Sequence, residues 1–162
     1  MKTATPPAST SHVKKSDPVA ESLATLLADT YALMGQVHVA HWNVEGPNFY
    51  SLHLAFEEQY KELFKAVDEL AERLRALGFY APGGLKTLAS MSSIKEAKIE
   101  ETPAENHVAH LIAGHEAVVK SAEKAREIAG EHDDNETEDL VIGRVKTHQK
   151  ALWMLRSVTK AA

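Results

Sequence analysis

The chain has 162 residues, with 23 acidic and 18 basic side chains, a formal net charge of −5 and no cysteine. That length sets the scale of one domain with a sizeable core. The missing thiols exclude a disulfide scaffold or thiolate metal site, the acidic balance excludes a body that attracts phosphate strongly, and no run of about eighteen apolar residues offers a membrane span.

Glycine is low at 8, while Ala, Leu, Glu and Lys are plentiful, as an all-helical chain requires. Residues 1–16 are rich in Thr, Ser, Ala and Pro and carry Lys2, Lys14 and Lys15 without an acid. They read as a flexible tail ahead of one helical domain over 17–162, with no apolar stretch of signal-peptide length, so a cytoplasmic location is expected. Asp17-Pro18 reads as a cap followed by proline at the first helical position. The first helix then places Val19, Leu23, Leu26, Leu27, Met34 and Val37 on one side and ends near Asn43. Gly46-Pro47 breaks the chain, and Asn48 is the expected cap of a second helix running to Leu77. Its apolar residues Phe49, Leu52, Phe56, Leu63, Val67, Leu70, Leu74 and Leu77 fall at steps of three, four or seven, joined by Tyr60 and Phe64. Gly78 is placed to end it. A bare connection over 79–101 would be unusually long, so a short helix is expected near Leu85 to Met91. Thr102-Pro103 opens a third long helix ending near Gly130, and a fourth runs from about Glu136 to Thr159. Four long helices with one long crossover after the second make an all-α, ferritin-like four-helix bundle with a short extra helix in the connection.

The second helix carries the chemistry. His53 and Glu57 are four residues apart, as are Asp68 and Glu72, so each pair shares a face. His41 precedes them at the end of the first helix. Imidazole nitrogen with carboxylate oxygen suits iron, zinc or manganese. His53 and Asp68 lie fifteen residues apart, roughly 22 Å along one helix, beyond the reach of any two side chains sharing an ion. If both clusters serve one site, Asp68 and Glu72 must come from a neighbouring chain, as an antiparallel pairing about a two-fold axis would arrange. Ferritin-type intrachain di-iron sites use Glu-x-x-His. None of the nine histidines has a glutamate three positions before it.

These residues stand in the segments HWNVEGPNF (41–49), LHLAFEEQY (52–60) and DELAER (68–73), followed by GEHDDNETEDL (130–140) and KALWML (150–155). In that order and spacing the chain resembles the Dps family, the ferritin-like miniferritins named for protecting DNA in starved cells. The resemblance covers nearly all of residues 20–160. It implies a ferroxidase centre at a two-fold interface, with metal-binding and catalytic roles for His41, His53, Glu57, Asp68 and Glu72. The histidines would come from one subunit and the last two carboxylates from its partner. Glu57 departs from the aspartate that many members carry. Trp42 adjoins this site, where an electron-rich indole would capture stray oxidising equivalents.

The resemblance further implies a homo-oligomeric shell of twelve subunits that oxidises Fe(II), preferentially with hydrogen peroxide, and stores the ferric product. The acids of residues 131–139 read locally as a solvated turn and a helix start favoured by the dipole. In the family this turn lines an ion-entry pore, to which Asp134, Glu136 and Asp139 correspond. The tail lysines, repeated around a shell, are the expected contacts for sequence-independent, salt-sensitive DNA binding. The alternative function is a nucleoid DNA-binding protein with little ferroxidase activity. Remaining features take plainer readings. His107, His110 and His115 are expected as solvated polar residues, His38 on the outer helix face, and Trp42 and Trp153 as core anchors.

Overall fold

The computed structural model describes residues 17–96, 103–158 and 160. Residues 1–16, and with them Lys2, Lys14, Lys15 and the proposed tail boundary, lie outside the described residues. The described chain forms five helices: α1 (Pro18–Asn43), α2 (Phe49–Ala76), α3 (Leu85–Met91), α4 (Ala104–Glu131) and α5 (Asn135–Val158). Short links join α1 to α2 and α4 to α5, making two antiparallel hairpins, and the long α2–α4 connection carries α3. The hairpins pack with α1 against both α2 and α4, while α3 lies on α1. This is the all-α bundle expected from the periodicity, and each long helix falls within a residue or two of its expected span.

The α1 start forms as its residue types dictate. The Asp17 carboxylate accepts from the backbone N–H groups of Val19 (3.0 Å) and Ala20 (3.2 Å), and Pro18 opens the helix. Asn48 is a correction: it occupies the cap position of α2 but makes no side-chain cap bond, its backbone sitting at φ −96°, ψ 12°. The Phe49 N–H is instead held by the carbonyl of Gly46. Gly78 terminates α2 at φ 89°, a left-handed conformation that suits glycine.

The core is one continuous cluster. Leu23, Leu26, Leu27, Leu33 and Val37 of α1 meet Phe56, Leu63, Leu70 and Leu74 of α2 and Val108, Leu111 and Val118 of α4. Helices α1 and α4 approach closely at Gly114, where a Cβ would stand 2.7 Å from the Leu33 side chain. The α3 segment is pinned by buried Asp29 of α1, whose carboxylate accepts from Ser92 Oγ (2.8 Å) and the Ser93 N–H (2.7 Å). Gln36 also donates to the carbonyl of Lys95. Among the described residues, no helix is long and apolar enough to cross a membrane.

Several side chains sit where the sequence did not suggest. Trp42 and Trp153 are exposed rather than core anchors. The apolar patterning of α2 also leaves Phe64 exposed, because that helix presents two apolar stripes and one chain can cover only one. His107 and His115 are buried rather than solvated; His115 packs in the α4 core stripe at every third or fourth residue with Leu111 and Val118. His38 is half-buried, its ring 5.4 Å from that of Trp42 and 4.2 Å from that of Tyr60. Burial and the nearby His41 lower its pKa.

Candidate metal centre

The end of α1 and the start of α2 bring His41 and His53 together across the Gly46-Pro47 turn. Their rings stack with centroids 3.9 Å apart. His41 Nδ1 lies 2.9 Å from the carbonyl of His53, and His53 Nδ1 lies 2.9 Å from the carbonyl of His41. A carbonyl oxygen only accepts, so each Nδ1 carries a proton, and in the neutral ring the lone pair is on Nε2. That tautomer leaves Nε2 available to a metal, fixed by the backbone as a hydrogen-bond acceptor fixes a metal-bound imidazole. The His41 carbonyl also belongs to the last turn of α1, where carbonyls lack helical partners. His53 therefore satisfies the helix end as well as orienting itself.

Tyr60 closes one side of the pair, its ring 5.3 Å from that of His41 and nearly perpendicular to it. Phe49 lies against His53 at 5.2 Å. Glu57, one turn beyond His53, is ion-paired with Lys61. The hydrogen bond from Lys61, then its charge, holds the Glu57 carboxyl below the usual carboxylate range. The cation thus rests on the carboxylate one turn beyond His53. Lys61 carries no ligand-type signature, although its i,i+4 spacing from Glu57 is visible in the sequence.

Asp68 and Glu72 are exposed on α2, four to five turns beyond the histidines. Among the described residues no three His, Asp or Glu side chains converge on a common metal position within the chain. His41 and His53 are brought together, Glu57 stands beside them, and Asp68 and Glu72 stand apart. Between the two groups lies Phe64, 67% exposed. Trp42, adjoining His41 in sequence, is likewise exposed, so the ligand-bearing surface is bordered by uncovered apolar side chains.

The acidic turn is divided in role. Asp134 accepts from the Arg73 guanidinium at 2.6 Å and from the N–H (3.0 Å) and hydroxyl (2.6 Å) of Thr137. Burial opposes its charged form, but the Thr137 and Arg73 bonds outweigh it and lower its pKa. Asp134 thereby caps α5 and ties it to the end of α2. Glu136 and Asp139 are both exposed on the first turns of α5.

The family model for the ferritin-like domain matches residues 20–161. DNA protection during starvation protein 2 of Bacillus anthracis is 39% identical over 139 residues, covering 86% of this chain and 94% of that protein. The crystal structure of Dps from Staphylococcus aureus superimposes with a TM-score of 0.85 at 38% identity, over 89% of this chain and 96% of that one. Dps from Vibrio cholerae, described as a member of a broad superfamily of ferritin-like diiron-carboxylate proteins, gives 0.84 at 29% identity, over 88% and 89%. A chain whose described residues form five helices, with a stacked imidazole pair at the α1–α2 hairpin, and which these proteins match over nearly its whole length, belongs to the Dps family of ferritin-like proteins.

Proposed function

We propose that the chain is an iron-oxidising and iron-storing miniferritin whose catalytic centres form between subunits. The observation that carries this reading is the His41–His53 pair, with both Nδ1 atoms bound to carbonyls and both Nε2 atoms left to face a cation. The other ligands would be Glu57 of the same chain and Asp68 and Glu72 of a two-fold mate. One antiparallel register of α2 on itself pairs His53 with Glu72 and Glu57 with Asp68 at once. That register places the dyad between Glu62 and Leu63, with exposed Phe64 roughly 2 Å from it along the helix axis. Phe64 would then be covered by the same association that completes the two sites.

Fe(II) is the substrate, and oxygen ligands favour its ferric product. Two Fe(II) ions each give up one electron, the O–O bond of one hydrogen peroxide breaks, and with two waters the products are two FeOOH units and four protons. Consuming iron and peroxide together would protect DNA without touching it. A twelve-subunit shell would hold the mineral, and Glu136, Asp139 and the capping Asp134 would border the ion entry, concentrating cations by their field. Exposed Trp42, linked through His38 and Tyr60 to His41 by ring contacts, would trap stray oxidising equivalents.

The direct test is anaerobic Fe(II) loading of the purified protein followed by peroxide titration at the ferric absorbance. Rapid oxidation that saturates near one peroxide per two irons is expected. Oxidation no faster than in buffer would overturn the assignment and leave DNA binding as the leading function. For that second activity the tail lysines Lys2, Lys14 and Lys15 are the proposed contacts. Removing residues 1–16 is expected to abolish a salt-sensitive DNA mobility shift, and an equal shift without the tail would remove it from the account.

A further inference from the structure

The centre of the bundle holds a second pair of histidines. His115 of α4 and His148 of α5 are buried with their Nδ1 atoms 2.9 Å apart. Arg144, one turn before His148, extends Nη2 to within 3.3 Å of His148 Nε2 and grips Glu62 of α2 through both terminal nitrogens. On the far side, His115 Nε2 lies 3.3 Å from Gln59 Oε1. Burial, reinforced by the Arg144 charge, lowers the His115 pKa to about 4; burial, His115 and Arg144 together lower that of His148 to about 2.

The hydrogen positions follow from one fact. A guanidinium only donates. His148 Nε2 must accept from it, so the single proton of neutral His148 sits on Nδ1 and points at His115. His115 Nδ1 must accept that proton, so the His115 proton sits on Nε2 and goes to Gln59. The chain Arg144→His148→His115→Gln59 runs in one direction, and no lone pair is left facing outward between the two rings.

Without the guanidinium the constraint reverses. Nothing would then oblige His148 Nε2 to accept, so the His148 proton could move from Nδ1 to Nε2, on the side where Glu62, which Arg144 bridges to His148, offers an acceptor. Both Nδ1 lone pairs would then face each other across 2.9 Å. A transition-metal ion about 2.0–2.1 Å from each nitrogen would fit with a near right-angle opening, which small ring rotations widen. Glu62, joined to His148 Nε2 through Arg144 in the unmodified chain, is the carboxylate that could close on that nitrogen to give the carboxylate–histidine–metal arrangement that orients metal-bound imidazoles.

We propose that Arg144 is the residue that keeps the bundle interior free of metal: it locks the His115–His148 pair in the tautomer that cannot bind a cation, and its removal uncovers an intrasubunit two-histidine site for a divalent transition metal. The guanidinium adds charge repulsion to the lock. Arg144 thereby determines where this chain can hold metal, whatever the interfacial site does.

The test uses Co(II) on the full-length chain carrying His41→Ala and Asp68→Ala, so the interfacial ligands do not contribute. Arg144→Met and Arg144→Ala are expected to gain one Co(II) per chain by equilibrium dialysis, with a visible ligand-field band. Binding should tighten by at least about 100-fold over the background chain. Adding His148→Leu should abolish the gain, and Arg144→Lys, which keeps a donor and a charge, should not show it. Folded, assembled Arg144→Met protein that binds Co(II) no better than the background would overturn the proposal, as would His148-dependent binding with Arg144 in place. A measurement on the unmodified chain stands apart from folding of the variants: histidine 15N spectra should show His148 protonated on Nδ1 and His115 on Nε2. The opposite tautomers would sink the lock outright.

Discussion

Two inactive variants of this chain should restore activity to each other when they assemble together. Chains carrying His41→Ala retain Asp68 and Glu72; chains carrying Asp68→Ala retain both histidines. Each alone is expected to oxidise Fe(II) with peroxide no faster than buffer. Co-expressed in equal amounts and randomly paired, they should recover roughly a quarter of the parent rate, because half of the dimers are mixed and each mixed dimer has one intact site of two. A site built within one chain predicts no recovery at all. His41 is the better partner for this experiment than His53. His53 Nδ1 supplies a bond to the end of α1, so its loss would disturb the hairpin as well as the site. The readout is the initial rate of ferric absorbance after peroxide addition, measured on assemblies of matched size.

Acid should destabilise the protein through the bundle-centre histidines. Burial, then the Arg144 charge, holds His115 at about 4, and burial, His115 and Arg144 hold His148 at about 2. In the unfolded chain both titrate near 6.5. Because the folded values are the lower ones, the stabilisation is complete above pH 6.5. It is lost as pH falls, from both residues down to about 4 and from His148 alone down to about 2. Between pH 6.5 and 5, each histidine should remove on the order of 2 kcal/mol of unfolding free energy. Urea unfolding at fixed protein concentration, at several pH values, measures this slope. The double variant His115→Leu, His148→Leu should lose most of it even if its stability at pH 7.5 differs. An unchanged slope would show that the acid lability has another origin.

The helices, and the separation of Asp68 and Glu72 from the two histidines, were legible because they depend on local spacing. Period, caps and breakers locate the four long helices, the length of the 79–101 connection calls for α3, and the fifteen residues between His53 and Asp68 exceed any side chain's reach whatever the fold. The reciprocal carbonyl bonds of His41 and His53 were not legible. They depend on how a hairpin brings residues twelve apart into register, and no residue type announces that. His115 and His148 were hidden differently. Each lies in the buried stripe of its own helix, with Leu111 and Val118 on α4 and with Val141 and Leu152 on α5. Stripe membership was therefore readable, but polar residue type suggested solvent, and the partner 33 residues away compensates for that only once the helices pack. Trp42, Trp153 and Phe64 misled in the opposite sense, since apolar type says that a side chain seeks cover and not which molecule provides it. Asp134 fitted both a pore and a helix cap by type and position; the contacts with Arg73 and Thr137 set out its structural share.

The crossed bonds between His41 and His53 hold both rings in fixed orientations. In the proposed centre neither ring would have to turn when an ion arrives, so the ordering cost would be met during folding rather than during capture. The ion-paired Glu57 and the exposed carboxylates further along α2 would form the compliant half of that proposed centre. Such a division would suit an oxidation centre that must also empty: the fixed rings would register the incoming ion, and the yielding oxygens would follow its change of charge and let the product go.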